Sequence, residues 1–193
     1  AVGAFRNGIY TTGHVRVYRY SGSSWTQLGS DIDGQDDYDN FGYSVSISSN
    51  GSILAIGAPA LGGRESYLQA YQYISGSWIQ LGNNIDNEVG GDEYGVSVSL
   101  SSDGTIVAAG APKNDGNYSG YAIYSGHARV HQYSNGSWTQ LGSDIDAEIG
   151  DGLGSSISLS SDGKILATGA PSNGDAGIQA GKVRLYEYIN NSW

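Results

Sequence analysis

The sequence predicts an all-β protein, a β-propeller built of four-stranded antiparallel blades. Three observations predict it. The stretch FGYSVSISSNGSILAIGAP at Phe41–Pro59 returns as YGVSVSLSSDGTIVAAGAP at Tyr94–Pro112 and as LGSSISLSSDGKILATGAP at Leu153–Pro171. Trp25, Trp78, Trp138 and Trp193 recur 53, 60 and 55 residues apart. The hydrophobic period within each repeat is two, and no stretch carries the 3.6-residue period of an amphipathic helix. Four short strands in a repeat of this length are the signature of propeller blades, whereas the coil of a solenoid is shorter.

Each strand has its own signal. The first, Phe41–Ser48, alternates small polar with apolar residues, so its two faces differ. Asn50-Gly51, Asp103-Gly104 and Asp162-Gly163 follow, each between apolar runs, and predict a hairpin whose two turn residues both take positive φ. The second strand, Ile53–Pro59, stops at Gly-Ala-Pro because proline removes a ladder donor. Gly13–Tyr20, Ser66–Tyr73, Gly126–Tyr133 and Gly181–Tyr188 predict the third strand; Tyr18, Tyr71 and Tyr186 recur at one position of it, and His131 replaces them in the third copy. Ser24–Gly29, Ser77–Gly82 and Ser137–Gly142 predict the fourth, and Trp193 starts a last copy. Ser, Gly and Val in the first strand fit near an axis, and the Tyr, Arg, Trp and Gln of the outer strands fit where blades spread apart.

The 193 residues form one region of about four blades, with boundaries near 1–40, 41–93, 94–152 and 153–193. The opening AVGAF matches a second-strand tail, so the first blade lacks its innermost strand. The expectation is part of a larger repeat array. A closed four-bladed ring and an oligomer that completes a ring are the alternatives, so self-association or further repeats are expected partners.

Composition excludes some functions. A net charge of −10 argues against nucleic acid, which needs clustered Lys and Arg. No apolar run approaches the roughly 20 residues of a membrane span, so no membrane insertion is expected. No signal peptide is visible, and a start inside a repeat implies missing upstream sequence. With no Cys there is neither disulfide nor thiolate chemistry. Asn50, Asn117, Asn135 and Asn190 lie in N-x-Ser sequons, which read as glycosylation sites or as chance in a chain rich in Ser, Asn and Gly.

Acidic residues gather between blades, in DIDGQDDYDNFG, NIDNEVGGDEYG and DIDAEIGDGLG. The metal candidates are Asp31, Asp33, Asp36, Asp37, Asp39, Asp86, Glu88, Asp92, Asp146, Glu148 and Asp151, and the ion is Ca2+, which prefers six to eight oxygen ligands. The structural reading is that Asp39, Asp92 and Asp151 accept backbone N–H groups in the turn entering the next blade. His127 and His131 share a strand face but lie about 13 Å apart, too far to share a metal. The repeated Trp and Tyr read as packing between outer strands, or as sugar-stacking platforms. Insertions at Lys113–Ser125 and Ser172–Ala180 lengthen the loops on one face, and Asn114, Asp115, Tyr118 and Tyr121 are the ligand-loop candidates there.

Phe41-Gly42 with Gly57-Ala58-Pro59 resembles the FG-GAP repeat of integrin α-subunit propellers, and Tyr94-Gly95 with Gly110-Ala111-Pro112 and Leu153-Gly154 with Gly169-Ala170-Pro171 are similar to it. The family's calcium loop is replaced by SSNGS, SSDGT and SSDGK, so its ligands do not carry over. The resemblance implies an extracellular, secreted recognition module. The expected function is a non-catalytic structural or adhesive propeller, not an enzyme, binding an extracellular protein or glycan through its longer-loop face. The alternative is a carbohydrate-binding propeller with one shallow site per blade.

Overall fold

The alternating stretches fold as antiparallel ladders, in a computed structural model that describes residues 1–8, 10–60, 64–115 and 124–193. Among the described residues there is no helix. In the second repeat Ser44–Ile47 pairs with Ile53–Ala58, that strand with Tyr67–Ile74, and that in turn with Ser77–Gln80. Ser97–Leu100, Ile106–Ala111, His127–Ser134 and Ser137–Gln140 repeat the order. Ser156–Leu159, Ile165–Ala170 and Lys182–Glu187 begin it once more. At the front, Val2–Ala4 pairs with His14–Arg16, and Tyr18–Tyr20 with Trp25–Gln27. All three second strands end on the alanine before proline.

Gly13–Tyr20, expected as one strand, is split at Val17 into His14–Arg16 and Tyr18–Tyr20, and two further local features differ from the sequence expectation. At the Asn50-Gly51 turn only Gly51 takes positive φ, at 72°. Asn50 instead uses its side chain: Oδ1 accepts the Ser52 N–H at 2.9 Å and the Ser48 hydroxyl at 2.9 Å. Asp103 and Asp162 bond in the same way. A carboxylate or amide that caps the turn this way holds the residue out of the left-handed region. The turn with two left-handed residues joins the third and fourth strands, at Ser75-Gly76 and Asn135-Gly136.

The second difference concerns the acidic segments. The fourth strand continues after a break, and Ile32–Asp33, Ile85–Asp86 and Ile145–Asp146 pair back onto the start of the third strand. Asp33, Asp86 and Asp146 therefore stand on strands, not in loops. The cause is the isoleucine before each: Ile32, Ile85 and Ile145 are all buried, and burying a side chain of this size contributes roughly 1.5–3 kcal/mol.

The core lies between successive sheets. Val15 and Ile32 of the first unit pack, together with Phe41, on Leu54, Ile56 and Tyr67 of the second. Ile53, Leu68 and Ile85, from the opposite face of that sheet, pack on Leu100, Val107 and Ala109 of the third. The period of two thus divides each strand between two neighbours. At one edge the backbones nearly touch: a Cβ on Gly57 would overlap the carbonyl oxygen of Gly95, and the same holds for Gly110 against Gly154. The first strands join there through serines. Ser44 and Ser97 donate to the Gly95 and Gly154 carbonyls at 2.7 and 2.6 Å, and Ser46 and Ser99 accept the Leu100 and Leu159 N–H groups. At the opposite edge Trp78, Trp138 and Trp193 each donate an indole N–H to the preceding unit, to the carbonyls of Leu28, Leu81 and Leu141.

Candidate functional site

The seam between two sheets is lined by alternate residues of the third strand. In the second unit these are Tyr67, Gln69 and Tyr71, gathered around Phe41, whose ring centroid is 6.4 Å from each tyrosine ring. Their polar groups are satisfied. Tyr67 donates to Asp39 at 2.5 Å, Tyr71 to Gln69 at 2.6 Å, and Gln69 to Asn84 at 2.9 Å. Burial raises the Tyr71 phenol to about 12.

The next seam breaks this pattern. His127, Arg129 and His131 occupy the same three positions, and Tyr94 replaces Phe41. The Arg129 guanidinium lies 4.4 Å from the Tyr94 ring centroid, donates to the Asp86 carbonyl at 3.0 Å and stands 3.6 Å from the Glu88 carboxylate. His127, Arg129, Tyr94 and Asp92 are all buried. Yet His127 Nε2, His131 Nδ1, Arg129 Nε, the Tyr94 hydroxyl and Asp92 Oδ2 have no hydrogen-bond partner. Buried polar atoms are nearly always paired, so five unpaired ones on a single seam mark it as a place built for something else.

Ligand atoms of Glu88, His127 and Asp144 lie within 4.8 Å of one another at the same seam. Burial, then repulsion from the Arg129 cation, push both His127 and His131 down to about 4, so both rings are neutral at pH 7. Burial raises the Glu88 carboxyl; Arg129 opposes that and Asp144 adds to it. Asp146 is raised by burial and by Asp144. The seam thus holds two neutral imidazoles, a fixed cation and the Glu88 and Asp144 carboxylates. Glu88, 44% exposed at its side chain, is the member that meets solvent.

The other candidates are more dispersed. Asp31 is held by Arg16 through hydrogen bonds of 2.7 to 2.9 Å and by Gln27 at 2.7 Å, and the Arg16 hydrogen bonds take its carboxyl down to about 2. Asp36, Asp37 and Asp39 line an open depression of about 670 Å3 with Gln35, Arg64 and Glu65. Asp39 also accepts the Asp36 N–H, Asp92 accepts the Ser66 hydroxyl and the Tyr94 N–H, and Asp151 accepts Asn173 and Arg184. Asp33, Asp86 and Glu148 are exposed. Of the eleven acidic candidates only Glu88 joins the cluster with His127.

Among the sequons, Asn50 has its side chain engaged in its turn, while Asn135 and Asn190 are exposed turn residues. Asn117, Tyr118 and Tyr121 lie outside the described residues. Asn114 is buried, and Asp115 accepts the Tyr124 N–H at 2.9 Å. Arg129, Asp144 and Tyr94 are absent from the candidate site residues of the sequence. The signal that points to them is the loss of the recurring tyrosine from the third strand at His131.

The fold defines a class, the all-β proteins of repeated antiparallel sheets. No protein-family model and no curated protein matches the chain. Among solved structures it is similar to a proposed 6-phosphogluconolactonase of Bacteroides uniformis, at 13% identity and a TM-score of 0.62, over 98% of this chain and 50% of the other. It is also similar to a proposed 6-phosphogluconolactonase of Bacteroides fragilis, at 14% identity and a TM-score of 0.55, over 82% of this chain and 38% of the other. The chain thus spans half or less of the structures it matches.

These likenesses correct the functional expectation. The sequence led to a secreted, integrin-like, non-catalytic adhesive or glycan-binding module and to no enzyme. That step ran from fold to function, and the same fold occurs in structures named for an enzyme activity. A fold does not carry a function; a site does.

Proposed function

We propose that the repeats are consecutive blades of a β-propeller with FG-GAP-type spacing, and that the seam between the second and third is the catalytic centre of a hydrolase opening a sugar-acid lactone. The observation that carries the site is the meeting of Glu88, His127 and Asp144 beside Arg129. The fold likeness supports the substrate class. Serine contacts at one edge and tryptophan contacts at the other support the radial order. Further blades are part of the proposal: Val183 and Leu185 are 72% and 73% exposed, where their counterparts Ala128 and Val130 are covered by the next sheet.

Lactone opening needs a base, a stabiliser for the oxyanion and a proton for the leaving oxygen. Glu88 takes a proton from water as the water oxygen adds to the ring carbonyl carbon. Its raised basicity and partial exposure suit that role. Arg129 faces the developing negative charge on the carbonyl oxygen. The ring C–O bond then breaks, and the departing oxygen takes the proton back from Glu88. The new acid ionises, releasing one proton per turnover.

The test is proton release, followed with an indicator, from glucono-1,5-lactone and its 6-phosphate, with spontaneous opening subtracted. The expected result is a rate above spontaneous opening that falls roughly 100-fold or more in Glu88→Gln, with the far-ultraviolet circular dichroism unchanged. Folded protein that adds nothing to the spontaneous rate of either lactone overturns the proposal.

A further inference from the structure

We propose that Glu88, His127 and Asp144 bind one divalent cation of the zinc class. The inference rests on the reading of this seam as a catalytic centre, with Glu88 binding the cation through one carboxylate oxygen and keeping the other as the base.

The donor set comes first. One imidazole nitrogen and two carboxylate oxygens are ligands that zinc accepts, with bonds of roughly 2.0–2.2 Å. Tetrahedral bonds of that length put ligand atoms roughly 3.4 Å apart. The three ligand atoms lie within 4.8 Å of one another without an ion. A contraction of up to about 1.4 Å closes the set, and Glu88 is half-exposed at its side chain. Calcium is a poor fit, since it prefers six to eight oxygens.

A second observation points to a ligand independently of the acids. His127 is 1% exposed, and its Nε2 has no hydrogen-bond partner.

The surroundings are consistent with an open, catalytic type of site. Three protein ligands leave a fourth position for water. Arg129 is tied to the Asp86 carbonyl and stacked on Tyr94, so it stands beside the carboxylates as a fixed charge. With two carboxylates against one guanidinium, the cluster keeps a net negative charge that a cation offsets. Among the described residues the set is found at this seam, although His14 and Asp31 stand at the His127 and Asp144 positions of the first repeat. Gln35, Tyr67 and Asn84 stand at the corresponding positions one repeat earlier, and Lys182 follows the His127 position one repeat later.

The experiment uses the chain dialysed against excess zinc and then metal-free buffer, with bound metal counted by mass spectrometry. Cobalt loading followed by visible absorption reports the coordination. The expected result is one zinc per chain, held at least about 10-fold more weakly in His127→Ala and in Glu88→Gln, and unchanged in Asp36→Asn. Circular dichroism checks each variant, and Glu88→Gln, at a half-exposed position, keeps the test valid if His127→Ala fails to fold. No retained zinc, or equal retention in Glu88→Gln, overturns the proposal. Zinc bound without lactone opening leaves the site and removes the hydrolase reading. Lactone opening by protein that retains no zinc does the reverse.

Discussion

Gly57 shows how a single residue holds two repeats together. Its Cα faces the Gly95 carbonyl so closely that no Cβ fits, and backbone on both sides has nowhere to move. Gly57→Ala is expected to cost about 3 kcal/mol or more. Gly51→Ala meets no neighbour within 4 Å but has φ of 72°, so its cost is only the left-handed strain, about 1–2 kcal/mol. Denaturant midpoints of the two variants should keep that order; equal midpoints would refute the close-approach account. His131 makes a second residue-scale prediction. Burial takes its pKa from 6.5 to about 4, so between those values the unfolded chain binds a proton that the folded chain does not. Stability from this group is full above pH 6.5 and falls as pH drops toward 4, by up to about 3 kcal/mol. His127 adds a similar share. His131→Tyr restores the residue found in the other repeats and should flatten the decline in unfolding midpoint between pH 6.5 and 4. A slope unchanged from the parent would rule this out.

At the scale of the element, the fourth strand does two jobs on either side of its break. Before the break it carries the tryptophan that reaches back to the preceding unit, and after it the isoleucine that fills the seam. Trp138 is half-buried and donates to the Leu81 carbonyl at 2.8 Å, whereas Trp25 is 68% exposed. Trp138→Phe should therefore cost about 1 kcal/mol or more, for the indole hydrogen bond and lost contact, and Trp25→Phe close to nothing. Urea unfolding of both variants is the check, and equal losses would show that the tryptophan does not act between units. The same strand carries Asp144 to the His127 seam, while Gln140 donates to it at 2.6 Å. Gln27 and Gln80 make the matching bonds to Asp31 and Asn84. A repeated structural contact has thus been turned at one seam toward chemistry.

At the scale of the molecule, the main contacts among the described residues run between sheets that are neighbours in sequence, as in other repeat proteins. Stability should then be greatest where a sheet is covered on both faces. Amide exchange is expected to be slowest in Ile53–Ala58 and Ile106–Ala111 and faster in Val2–Ala4 and Lys182–Glu187. Uniform protection across all four units would mean a single cooperative body instead.

The sequence by itself determined the all-β class, the repeat and the place of nearly every strand. Period-two alternation, Asn-Gly or Asp-Gly turns and terminal prolines are local signals, read within a few residues. The site was only partly legible. Glu88 stood among eleven acidic candidates, and the departure at His131 was visible as a broken column, but nothing local joined either to Asp144 or Arg129. Glu88 belongs to one repeat and His127 to the next, and Asp144 reaches them only because the fourth strand breaks and resumes against the third. Only the tertiary structure could decide that meeting, because stacking of successive sheets brings together residues nearly 40 and 20 positions apart, at distances no strand period encodes.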